Sequence, residues 1–127
     1  MRGVQRRFRD MFELKAESHP NVTVLRYAGD MCLPDVAQFT RELEAYLFAP
    51  NIRQVILDLS SVGKADMSGL GVLVSVNTKG CGMRRRLVLL NPAPHVAALL
   101  RKAEIEGLFP TFDNEEELKG YIPDAAD

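Results

Sequence analysis

Two short runs, Gln54–Leu59 (QVILDL) and Arg86–Leu90 (RLVLL), are almost continuously apolar, and a stretch of helical period lies between them. A strand without polar alternation needs cover on both faces, the mark of a parallel sheet flanked by helices. The connecting stretch, Ser68–Lys79, carries Leu70, Leu73 and Val76 at helical spacing. Strand, helix and strand in that order pair in parallel through a right-handed crossover.

The rest of the chain extends the alternation. Phe12–Lys15 is a short strand candidate. Val22–Tyr27 alternates, with Val22 and Val24 on one face and Thr23, Leu25 and Tyr27 on the other; Gly29-Asp30 is expected to break it. Pro34–Phe48 reads as a helix, because Val36, Phe39, Leu43 and Leu47 form one stripe while Arg41, Glu42 and Glu44 lie off it. Pro50-Asn51 ends that helix. Asp58 is expected to close its strand, and a turn follows around Gly63. Gly80 and Gly82 supply residues that a helix C-terminus prefers. Pro94 suits the first turn of a helix carrying Val96, Leu99, Leu100 and Ala103. Phe109–Phe112 is a short extended piece, and Asp113–Glu116 resembles a capping box opening a last helix, with Leu118 and Ile122 inward. The order β-β-α-β-α-β-α-β-α predicts an α/β sandwich: a mixed sheet of four to five strands, the first two antiparallel, and about four helices.

Composition narrows the partners. Sixteen Lys+Arg against seventeen Asp+Glu give a net charge of -1, which carries no nucleic-acid footprint. No apolar run approaches the roughly 20 residues of a spanning helix, so no membrane insertion is expected. The basic spot is MRGVQRRFRD, with Arg2, Arg6, Arg7 and Arg9. It reads as a leader over residues 1–10, either an arm for an acidic surface or a solvated segment. No apolar stretch follows it as an export signal requires, and a cytoplasmic chain is expected. Cys32 and Cys81 lie far apart, outside ligand spacing, and read as reduced thiols. Nothing repeats and no linker divides the chain, which makes residues 11–122 one domain and 123–127 a tail.

Catalytic and cofactor signals are weak. Gly69-Leu70-Gly71 lacks the third glycine of a dinucleotide fingerprint. Gly63-Lys64 is followed by Ala65, and Asp58 stands where a phosphate loop needs its first glycine. His19 and His95 have no carboxylate or cysteine at ligand spacing, so no metal and no cofactor is expected. Asp58 and Asp66 read as structural carboxylates rather than as an acid-base pair. The informative segment is Asp58–Gly71 (DLSSVGKADMSGLG), where a buried strand turns into a helix opened by Asp66 or Ser68. Unpaired N–H groups at such a start favour a capping oxygen or an added phosphate.

On these residues the chain resembles the STAS family of sulfate-transporter domains and bacterial anti-sigma factor antagonists. The family pattern is an apolar strand ending in D-L-S, a short turn, then D-[ST]-[ST]-G-[LIV]-[GA] opening a helix. Here Val55-Ile56-Leu57-Asp58-Leu59-Ser60 is followed by Asp66-Met67-Ser68-Gly69-Leu70-Gly71-Val72. Arg86–Asn91 with Pro94 and Val96, then Glu104–Phe112 and Asn114–Leu118, match the later part of the pattern. The resemblance spans about Phe12 to Tyr121. It implies a STAS-like fold and a phosphorylation switch, in which a histidine-kinase-like anti-sigma factor is bound and then phosphorylates the Ser or Thr after the motif aspartate. That position is Met67, which accepts no phosphate. Ser68 matches the second hydroxyl of the pattern and is the remaining candidate acceptor. The family's G-E-[IL]-D before the first helix reads Gly29-Asp30-Met31-Cys32, so Cys32 replaces a carboxylate.

The resemblance therefore implies a non-enzymatic binding module of bacterial signal transduction and transcription regulation, a partner-switching protein without the standard switch. Its docking surface is expected to be Asp66, Met67, Ser68, Gly69, Leu70 and Gly71, with the exposed face of the helix they open. The adjacent loop of Asp30, Met31 and Cys32, continuing to Pro34, completes it. Met67 either meets the partner or packs under its own loop. Two alternatives stand beside this: an accessory subunit of a transporter ATPase or signalling complex, and a metabolite or nucleotide sensor.

Overall fold

The computed structural model describes residues 12–122. The basic leader (1–10) and the tail (123–127) lie outside the described residues. The strands are β1 (Phe12–His19), β2 (Val22–Met31), β3 (Gln54–Ala65), β4 (Arg86–Leu90) and β5 (Thr111–Phe112). The helices are α1 (Val36–Leu47), α2 (Met67–Cys81), α3 (Pro94–Lys102) and α4 (Glu115–Tyr121), with short 3-10 turns at Leu33–Asp35 and Glu106–Leu108. One sheet runs in the order β1-β2-β3-β4-β5. The β1–β2 pair is antiparallel and the other three pairs are parallel, as the sequence order predicts.

Register places the apolar rows. Leu25, Leu57 and Leu89 stand opposite one another across β2, β3 and β4, and Val24, Ile56 and Val88 form the adjacent row. Successive side chains point to opposite faces, so the two rows serve two cores. The leucine face packs against Phe39, Leu43 and Leu47 of α1, Leu70, Leu73 and Val76 of α2, and Val96 and Leu100 of α3. The valine face is covered by α4 through Leu118. The unbroken apolar reading of QVILDL is thereby explained: β3 is covered on both faces.

Three boundaries differ from the sequence reading. Gly29-Asp30 does not end β2; the strand continues to Met31 with shifts of register, Gly29 taking a positive φ of 114°. No turn intervenes at Gly63 either, because β3 continues to Ala65 alongside β2, with Ala28 opposite Ser61, Gly29 opposite Val62 and Met31 opposite Ala65. Each extension supplies hydrogen-bond partners to the other, which local glycine propensity cannot anticipate. β1 also runs beyond Lys15 to His19, a polar edge strand held by its pairing with β2.

Asp58 accordingly lies inside β3 rather than at its end. It is buried, accepting from Arg26 of β2 at 2.9 Å and from the Ser60 amide at 2.9 Å. Gly82 caps α2 with an ordinary helical φ of -65°, and the left-handed residue is Arg84 two places on. The last helix is capped by Asn114, which accepts from the Glu117 amide at 3.0 Å, while Glu117 reaches back to the Asp113 amide at 2.8 Å. The box is thus one residue later than Asp113–Glu116.

Candidate partner-docking site

β3 ends at Ala65, and Asp66 adopts an extended conformation as the N-cap of α2. Its carboxylate holds two segments together. One oxygen accepts from the Gly69 amide at 3.0 Å, closing the first turn of α2. The other accepts from the Leu33 amide at 3.0 Å, in the turn between β2 and α1. The Asp66 amide donates to the Met31 carbonyl at 3.2 Å. Asp66, not Ser68, is therefore the cap, and Ser68 lies inside the helix. The Gly69 N–H foremost, and those of Leu33 and Ser68, hold the Asp66 carboxyl below the usual carboxylate range despite its partial burial.

The close approach of these segments requires Gly69. A Cβ there would overlap the carbonyl oxygen and Cγ of Met31. Met31 itself is fully buried, as is Leu70, so these two predicted contact residues support the site from beneath. Asp30 braces the neighbouring edge: its carboxylate accepts from the Lys64 amide at 2.9 Å, and its carbonyl accepts from the Tyr27 hydroxyl at 2.6 Å. Tyr27 is fixed in turn between Phe12 and Phe39, at ring separations of 5.1 and 5.0 Å.

Met67 does not pack under its own loop. Its side chain is 52% exposed at the first position of α2, and Leu33, whose amide shares Asp66, is 64% exposed. Gly71, Ser75 and Thr78 continue the exposed side of α2 as small residues at helical spacing. Cys32 lies half-buried beside this group. Burial pushes its thiol up, and the carboxylates of Asp66, Asp30 and Asp35 add to the effect, which favours the neutral thiol over the thiolate. The structure thus brings Asp66, Met67, Ser68, Gly71, Asp30 and Cys32 together at the C-terminal ends of β2 and β3. Sequence alone does not single out Leu33, because an exposed leucine carries no signal until its neighbours are known. Among the described residues no three carboxylate, cysteine or histidine side chains gather as a metal site, and no helix is long and apolar enough to cross a membrane.

The family model of the STAS domain matches residues 13–118 of this chain. The chain belongs to the STAS family. In structure, this STAS domain is similar to the anti-sigma factor antagonist SpoIIAA in its unphosphorylated form, with 19% identity, a TM-score of 0.71, and coverage of 87% of this chain and 97% of the other. An anti-sigma factor antagonist from Mycobacterium paratuberculosis matches with 17% identity and a TM-score of 0.73, over 91% of this chain and 95% of its own. The murine anion transporter Slc26a9 matches with 17% identity and a TM-score of 0.60, over 66% of this STAS chain but 14% of the transporter. At these identities the likeness is one of fold.

Proposed function

We propose that this STAS domain is a non-catalytic protein-binding module of the anti-sigma factor antagonist type, whose docking is not reset by phosphorylation at the usual position. The reading rests on the exposure of Met67 beside Leu33, at the residue that follows the motif aspartate. A serine or threonine there would accept phosphate; a methionine offers a flexible apolar side chain to a partner instead. Burying one such side chain favours association by roughly 1.5–3 kcal/mol. The small residues Gly71, Ser75 and Thr78 let a partner's backbone come close to α2. Asp66 sets the loop, and Ser68 is the remaining hydroxyl. A phosphate on Ser68 would bring about -1.5 to -2 charge next to Asp66, which opposes docking.

The partner of this reading is a histidine-kinase-like anti-sigma factor. Tagged protein drawn from its native lysate, with bound proteins identified by mass spectrometry, should recover such a factor. Met67→Asp should then weaken binding by roughly tenfold or more, the loss of one buried apolar contact. Met67→Ser should restore a phosphate acceptor to the kinase and ATP. Recovery of a transporter ATPase in place of the anti-sigma factor overturns the antagonist role. Transfer of phosphate to Ser68 with release of the partner overturns constitutive docking.

A further inference from the structure

The opposite end of the sheet carries a cleft that the docking site does not use. Because β2, β3 and β4 are parallel, the residues at their N-terminal ends meet there. The Arg53 amide donates to the Asn21 carbonyl at 2.8 Å, and the Arg86 amide donates to the Arg53 carbonyl at 2.9 Å. The turn after α2 closes over them, leaving a cleft of about 420 Å³ whose walls include Asn21, Asn51, Arg53, Met83, Arg84 and Arg85.

Its charge is one-sided. The chain as a whole has a net charge of -1, yet among the described residues no carboxylate lines this cleft. Among the described residues, Arg53 and Arg84 form no ion pair with a carboxylate. Arg85 is fixed: its guanidinium donates to the carbonyls of Leu47 at 2.8 Å and Ala49 at 2.7 Å, at the C-terminal end of α1. Arg53 and Arg84 are exposed and flank this anchored group.

Arg84 is also conformationally costly. It occupies the left-handed position after α2 with a φ of 61°, the position where glycine is the least strained residue. Glycine is available two residues earlier, at Gly82, where the backbone has no need of it. The same backbone region is taken at Asn21 and Asn51, so three of the residues that line the cleft are left-handed.

We propose that this cleft binds a phosphate group, carried either by a soluble phosphorylated molecule or by the headgroup of an anionic lipid. Guanidinium forks match phosphate oxygens in pairs, and three arginines lining one cleft favour an anion bearing more than one charge. The site is separate from Asp66–Gly71, so it stands or falls independently of the docking partner.

The test is a titration of the ¹⁵N-labelled full chain with pyrophosphate, against sodium chloride of matched ionic strength. Saturable shifts are expected at Asn21, Arg53 and Met83–Arg85, with Asp66–Gly71 unmoved. Arg53→Gln and Arg84→Gln should each weaken binding by roughly tenfold, the loss of a charge-assisted contact. Arg84→Gly should raise the melting temperature while weakening pyrophosphate, which separates lost binding from lost folding. Sedimentation with vesicles containing phosphatidylglycerol, but not with phosphatidylcholine alone, assigns the phosphate to a lipid. Pyrophosphate shifts without vesicle binding assign it to a soluble ligand. The absence of saturable shifts at the cleft overturns the proposal, as does unchanged affinity in the arginine variants.

Discussion

Asp66 makes three backbone hydrogen bonds that join β2, the turn before α1 and α2, so one residue governs the geometry of the docking site. Its removal should be felt as lost stability before it is felt as lost chemistry. Asp66→Asn keeps the acceptor for one of the Gly69 and Leu33 amides but turns an NH2 group to the other, and at pH 7 should cost about 1 kcal/mol, the loss of one hydrogen bond. The pH dependence follows from the lowered carboxyl. A depressed native value means that the charge stabilises the fold at pH values above the unfolded carboxyl, near 4, and that this contribution fades as pH falls through the native value. Urea midpoints of the wild type and Asp66→Asn should therefore differ at pH 7 and draw together as pH falls through the native value of the Asp66 carboxyl. Gly69→Ala should be worse at every pH, by about 1–3 kcal/mol, since its methyl group has to displace the Met31 backbone. A thermal melt of Gly69→Ala matching the wild type would refute the close-approach argument.

Among the elements, α4 has the most to lose from a single contact. It is seven residues long, too short to be stable alone, and it covers the valine face through Leu118. Arg26 ties it down. The guanidinium on β2 bonds Glu115 of α4 at 2.5 Å, Asp58 of β3 at 2.9 Å and Glu17 of β1 at 2.8 Å. Glu17, then Glu115, raise the Arg26 pKa further above its ordinary value. Most of this cluster is exposed to screening, but Asp58 is buried and needs a cation or hydrogen bonds. Arg26→Met should destabilise by about 3 kcal/mol, largely by stranding that carboxylate. Adding Asp58→Leu should recover much of the loss. A double variant as unstable as Arg26→Met alone would show that packing of the arginine stem, rather than the stranded charge, carries the cost. Chemical denaturation of the four proteins in the cycle decides it.

At the scale of the molecule, the two cores differ in depth. Three helices cover the leucine face and one short helix covers the other, so opening should begin at α4 and at the polar edge strand β1. Native-state hydrogen exchange is expected to be slowest in the central strands β2, β3 and β4 and fastest in α4 and β1. Residues 11–122, read as the folding unit, should melt as one cooperative transition within a few degrees of the full chain. A broad transition in the truncated chain would mean that the leader or the tail contributes to the core.

The sequence by itself determined the layers. QVILDL and RLVLL had to be central strands because no polar residue interrupts them enough to face water, and the helical stripes between them had to lie on the sheet. It also pointed to the Asp66–Gly71 segment, since an aspartate before a helical run is a capping signal that needs no partner to be read. What only the tertiary structure decided were the features that depend on a second segment. Whether Gly29 and Gly63 ended their strands depended on each strand finding the other. Asp58 took its place mid-strand because Arg26, 32 residues away, stands beside it. Met31 and Leu70 proved buried while Met67 and Leu33 proved exposed, although all four are apolar and close to Asp66 in space or sequence. Apolar character states a preference for burial; which side chains obtain it is settled by the space that the packed elements leave.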